Sequence, residues 1–153
     1  MEALSRRWWW ALAALLAVVA LVYAVPLRGA DFAWDDGALV VDNALTGSLA
    51  NWRELLQADL WRTTRLPAPH SGYYRPLFLL HLALDQALFG LSAPAHHMVS
   101  LGWHLLATVL LAALLRRLVG DLPALLGAAF FALHPIQSET VALIAARNDS
   151  MAA

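Results

Sequence analysis

The chain contains no cysteine and no lysine. Without cysteine there is neither a disulfide framework nor a thiolate metal site. Without lysine the basic complement is ten arginines, set against 11 acids. Nothing physical demands that choice, and it reads as coding bias. Charges that nearly cancel leave no global field to argue for nucleic acid. Internal repeats, low-complexity tracts and a second domain are also missing. What is abundant is apolar: 61% of the 153 residues are hydrophobic and the mean hydropathy is +0.61. A soluble domain is roughly 45–50% apolar, so lipid is part of the expected solvent. Seven tryptophans, three of them consecutive at Trp8, Trp9 and Trp10, fit an aromatic belt at a membrane interface.

Trp8 to Leu27 runs without a charge, about 30 Å of helix, the thickness of the hydrocarbon core. A cleaved signal peptide is the rival reading, since Arg6-Arg7, the apolar run and Val22-Tyr23-Ala24 loosely fit one. The length of the stretch and the apolar segments that follow favour an uncleaved span. A second span is expected at 95–115, stopping at Arg116-Arg117. A third is expected at 122–138, the 17 uncharged residues between Asp121 and Glu139, near the lower limit for crossing. One arginine pair precedes the first span and another follows the second. The positive-inside rule puts both in the cytoplasm, with residues 28–94 and those from His134 onward outside. The expected architecture is therefore an all-α membrane protein of three transmembrane helices, with a long outer loop containing short membrane-parallel helices.

Within that loop, Asn51–Trp61 reads as a short amphipathic helix capped by Asn51. Leu66–Gly72 is rich in loop-forming residues. Pro76 opens and Gly90 closes a helix over Leu77–Phe89. It is too short to cross a bilayer. With His81 and Asp85 four apart on one face, it is expected along the membrane surface.

Several polar groups need weighing. Asp35 and Asp36 lie eight residues past the first span. Asp-Asp-Gly is good turn chemistry. Alternatively, two repelling carboxylates raise one pKa and provide a base, or together hold a divalent cation. No HExxH accompanies His96, His97 and His104, which favours span packing over metal binding. His134, Glu139, Arg147 and Asp149 gather after the third span, where charge is costly unless paired or functional. Arg75 either snorkels or binds a phosphate.

Taken together, Phe32-Ala-Trp-Asp-Asp36, Asp42-Asn43, Ser71-Gly-Tyr-Tyr-Arg-Pro-Leu77, Leu84-Asp85, Phe89-Gly-Leu91, His96-His97, His134-Pro-Ile-Gln-Ser-Glu-Thr-Val141 and Arg147-Asn-Asp149 form an ordered set. The set resembles the N-terminal membrane region of the transmembrane and tetratricopeptide-repeat O-mannosyltransferases and their bacterial relatives, glycosyltransferases of the GT-C class. The resemblance covers nearly everything from Asp31 onward. One departure is Ala146, where that family usually has glycine. A second is that the later spans and repeats are absent.

The resemblance implies that residues 1–153 are the N-terminal fragment of a GT-C-like membrane domain. Such an enzyme transfers a hexose, with inversion, from a polyprenyl-phosphate carrier to an acceptor hydroxyl of a protein or glycan on the outer membrane face. The expected location is a bacterial cytoplasmic membrane. Carried over by motif, Asp36 (preferred) or Asp35 is the base or the ligand of an assisting cation. Arg75 and Arg147 bind the donor phosphate, and His134, Glu139 and Asp149 line the cavity. Three spans supply the acidic loop but no enclosed groove for a long lipid, so the fragment alone is expected to be inactive. Two other classes remain: a small non-enzymatic multi-span scaffold or assembly subunit, and a transporter fragment using Asp36 and Glu139 as ion ligands.

Overall fold

A computed structural model describes residues 2–61, 64 and 72–152, with side chains from residue 6. Most of the expected loop at 66–72 lies outside the described residues. Those described are helical or irregular, and none of them forms a strand. Helix α1 (Glu2–Leu27) and helix α4 (Ala93–Val119) are joined by the long polar segment, which holds α2 (Trp52–Leu55) and α3 (Pro76–Phe89). Helices α5 (Asp121–Leu133), α6 (Gln137–Ala142) and α7 (Arg147–Ala152) follow.

Among the described residues two helices are long and apolar enough to cross a membrane: Arg6–Leu27, 22 residues, and Ala93–Val119, 27 residues. At 1.5 Å per residue they span about 33 and 40 Å. In hydrocarbon every backbone polar group must be satisfied within the segment, which an uninterrupted helix achieves. Arg116 and Arg117 fall in the last turn of α4, and Asp121 in the first turn of α5. Each charge is matched to its helix dipole. Gly120 alone separates the two helices, at φ 85°, a left-handed backbone that only glycine adopts freely.

The expected span at 122–138 is not one helix. Helix α5 ends at Leu133 after 13 residues, about 20 Å and short of the hydrocarbon thickness. His134 is extended, at ψ 133°, because Pro135 follows it and a residue before proline is pushed out of the α region. The chain then restarts as α6.

Small residues set the packing. Ala124, Ala128 and Ala132, four apart on α5, are fully buried. A Cβ at Gly127 would meet Leu115 Cδ1 at 2.8 Å. Such residues let helices approach closely where lipid removes the hydrophobic drive between them. Trp8 and Leu12 of α1 share a cluster with Ala112 of α4 and Ala128 of α5. Val19, Tyr23 and Leu27 share another with Leu101, Ala132 and Val141. Helices α1 and α4 therefore run antiparallel, with both arginine pairs at one end.

The polar segment has its own core at the other end. Leu39, Val40, Leu55 and Leu60 pack against Phe78, Leu79, Leu82 and Ala83 of α3 and against Ile144. The helix expected over Asn51–Trp61 shrinks to a 3-10 turn, Leu49–Asn51, and the four residues of α2. Asn51 does not cap it, since its side-chain amide donates to Leu45 O at 3.0 Å. Asp59 then turns the chain away by accepting from the Trp61 and Gly72 amides. Helix α3 keeps its expected bounds: Pro76 stands in its first turn, and Gly90 ends it at φ 59°. Its His81–Asp85 face, expected at the membrane surface, is instead turned inward, with Asp85 buried.

Candidate functional site

Adjacent in sequence, Asp35 and Asp36 have different environments. The chain leaves α1, and Trp34 takes a left-handed conformation at φ 49°, which a bulky residue adopts only under constraint. That turn leaves Trp34 and Asp35 exposed and sends Asp36 inward, fully buried. Asp36 Oδ1 accepts from the Ala145 amide at 2.7 Å, and Oδ2 accepts from the Ala33 amide at 3.3 Å. Burial raises the Asp36 pKa above its ordinary value, while amide donors from Ala145, Ala33 and Ile144 work to lower it. Asp36 thus ties the first turn after α1 to the segment that leads into α7.

Arg147 is also fully buried, and its guanidinium is occupied. Nε donates to Ser100 Oγ at 3.0 Å and Nη2 donates to His96 O at 2.8 Å. Nη1 donates to the carboxylate of Asp85 and lies 3.2 Å from His81 Nδ1. His81 in turn accepts from Trp103 Nε1 at 2.9 Å. Burial works to raise the Asp85 pKa, but hydrogen bonds from His81 and Arg147 and the arginine charge outweigh it and hold the carboxyl below its ordinary value. Burial lowers the Arg147 pKa against the pull of Asp85 and Asp36. This network joins α3, α4 and α7.

In front of these groups lies an open groove of about 320 Å³. Asp35, Arg75, Glu139, Asn148 and Asp149 line it, with Leu39, Leu60, Trp61 and Tyr73 among the apolar and aromatic walls. Asp35, Glu139 and Asp149 are exposed. The Arg75 guanidinium lies 5.4 Å from the Tyr73 ring centroid, a cation–π distance that steadies it. Arg75, Asn148 and Asp149 also border a second, more apolar recess of about 410 Å³, completed by Pro76, Leu77, Phe78, Met151 and Ala152.

Of the seven residues singled out from sequence, four meet in the groove: Asp35, Arg75, Glu139 and Asp149. Asp36 and Arg147 are buried away from solvent. His134 stands apart, its Nδ1 accepting from the Ile136 amide at 3.2 Å and its ring 5.0 Å from Phe130. Asp85 and Ser100 were missed as partners of Arg147. The available signal was the lone carboxylate of a largely apolar helix, which needs a counter-charge when buried. His96, His97 and His104 each bring Nε2 to a backbone oxygen, of Gly90, Asp31 and Ala132 respectively. Among the described residues no three histidine, aspartate or glutamate side chains cluster to hold a metal ion. Both Asp36 oxygens accept from amides, whereas Asp35 is exposed.

Comparison with known proteins adds an independent line. No family model matches the chain, and no solved structure matches it. It is 33% identical over 133 residues to protein O-mannosyl-transferase Tmtc2 of Drosophila melanogaster, covering 86% of this chain and 14% of that protein. It is 33% identical over 144 residues to protein O-mannosyl-transferase Tmtc1 of the same organism, covering 90% of this chain and 16% of the relative. With protein O-mannosyl-transferase TMTC2 of Homo sapiens the identity is 31% over 121 residues, 78% of this chain and 14% of the relative. The chain thus spans about one seventh of the length of these relatives. The stretches compared run through most of its own helices, and relatives from fly and human carry one name. By that homology the chain belongs to the family of the Tmtc protein O-mannosyl-transferases.

Proposed function

We propose that this chain is the acidic part of a glycosyl-transfer site that moves mannose or a related hexose from a polyprenyl-phosphate carrier to an acceptor hydroxyl, a protein serine or threonine, on the outer membrane face. The observation that carries this reading is the groove in which Asp35, Arg75, Glu139 and Asp149 meet. The names of the relatives support the sugar and the protein acceptor. For the face, support comes from the arginine pairs at the opposite end of the bundle, which the positive-inside rule assigns to the cytoplasm.

In the proposed reaction the acceptor hydroxyl attacks the anomeric carbon. A carbon–oxygen bond forms as the bond from that carbon to the carrier phosphate breaks. The phosphate leaves with the electron pair, already a stable anion, so no acid need protonate it. The acceptor proton passes to a carboxylate base. Asp35 is suited to this task because it is exposed in the groove, whereas both oxygens of Asp36 accept backbone N–H groups. Arg75 is the donor-phosphate ligand, offering a bidentate fork held over Tyr73. The apolar recess beside Arg75 suits the first isoprene units. Glu139 and Asp149 are placed to accept hydrogen bonds from sugar or acceptor hydroxyls. Buried Arg147 acts through position, holding Asn148 and Asp149 at the groove.

The test is transfer from a lipid-linked mannose by the full-length protein in membranes. Asp35→Asn is expected to lower the rate by about a hundredfold or more, the scale of a general base, without changing insertion. Undiminished transfer by Asp35→Asn would remove Asp35 as base. If Asp36→Asn were inactive yet as stable as the parent, the base would be Asp36.

A further inference from the structure

At the end of the bundle away from the groove, Trp8 and Trp9 of α1 and Ala113, Arg116 and Arg117 of α4 line a cleft of about 410 Å³. It is a built feature. The Arg116 guanidinium lies 4.2 Å from the Trp8 ring centroid and 6.0 Å from that of Trp9. Its Nε donates to Asp121 Oδ1 at 2.7 Å. Trp8 Nε1 donates to the Asp121 backbone oxygen at 3.3 Å, which ties the start of α5 to α1 beside the cleft.

The charge there is not balanced. Asp121 answers Arg116, but Arg117 is exposed and has no ion-pair partner among the described residues. Arg6 and Arg7, also exposed, precede Trp8 on α1. Leu110, Leu114, Arg117 and Leu118 recur at the spacing of one helical face, and all are exposed. An apolar stripe thus runs from mid-helix up to an unanswered arginine beside two indoles.

We propose that this cleft binds an anionic phospholipid, with its headgroup phosphate on Arg117 and Arg116 and one acyl chain along Leu110 and Leu114. Arginine presents a fork that matches phosphate oxygens, and basic pockets between membrane helices take anionic headgroups. A lipid is favoured over a free phosphate because the cleft lies at the ends of the two helices long enough to cross a membrane, and the stripe beneath Arg117 has the chemistry of an acyl-chain track.

Native mass spectrometry of the purified chain in detergent tests this, titrating phosphatidylglycerol against phosphatidylcholine of the same acyl composition. The parent is expected to retain phosphatidylglycerol preferentially, and Arg117→Gln to weaken that retention about fivefold, the worth of one surface arginine at an anionic membrane. Phosphatidylcholine retention should not change. Arg53→Gln, another arginine stacked on a tryptophan (5.1 Å from Trp52), should keep the preference and serves as the control. Equal retention of the two lipids by the parent, or an unaltered preference in Arg117→Gln, overturns the proposal. Displacement of phosphatidylglycerol by soluble glycerol phosphate also overturns it, marking a free-anion site.

Discussion

At residue scale, the contrast between Asp35 and Asp36 follows from one strained turn. Trp34 sits at φ 49° with 87% of its surface exposed, so nothing in its packing offsets the left-handed backbone. Trp34→Gly is expected to stabilise the protein by about 1 kcal/mol, the penalty a side chain meets there. The gain would read as a higher melting temperature in detergent, and a fall would show that the indole makes contacts of its own. For Asp36, an asparagine keeps one acceptor oxygen but sets an amide against backbone donors at the other. Asp36→Asn should therefore cost about 1–3 kcal/mol by leaving a buried amide unpaired. Asp35→Asn, on the surface, should stay within about 0.5 kcal/mol. Equal melting temperatures for the two variants would contradict this division between an anchoring and a groove carboxylate.

Helices α3, α4 and α7 meet at the Asp85–Arg147 pair. Removing one partner, as in Asp85→Leu, leaves a buried uncompensated charge and is expected to cost about 3–5 kcal/mol. Replacing both, Asp85→Leu with Arg147→Met, should recover most of that loss, and a double-mutant cycle on thermal stability checks it. The pH dependence has a definite sign. Because the Asp85 carboxyl is held below its ordinary value, its stabilisation is present above the unfolded pKa of about 4 and is lost as pH falls through the folded value. Asp36, shifted upward, acts in the opposite sense and favours the fold most where it is protonated. The acid-side decline in melting temperature should accordingly be shallower in Asp85→Asn than in the parent; parallel profiles would dissociate the pair from it. On α5 the fully buried Ala128 faces α1 and α4 without spare room. Ala128→Leu should destabilise by about 1–3 kcal/mol through overpacking, read as a lower melting temperature.

For the whole molecule, the two ends differ in charge and chemistry. Arg6, Arg7, Arg116 and Arg117 mark one, and the carboxylate groove marks the other. Because the chain has no cysteine, single substitutions report orientation without background. Ser138→Cys, exposed beside Glu139, should react with a membrane-impermeant maleimide added to intact cells. Arg117→Cys should react only after permeabilisation. The reverse pattern would invert the proposed topology.

Composition, arginine placement and proline–glycine punctuation were enough to determine helices and no strand among the described residues, the first two long apolar helices, the bounds of α3 and the segregation of the arginine pairs from the acidic motifs. These properties are local: hydrophobic run length, a missing amide and a left-handed backbone act within a few residues. The ordered motifs were likewise legible as a family resemblance. Only the tertiary structure decided which of two adjacent aspartates faces solvent, that Arg147 is buried against Asp85, 62 residues away, and that His134 stands outside the groove. It also divided the expected 122–138 span at Pro135. Burial and pairing depend on which distant segments share a core, and spacing along the chain carries no measure of that.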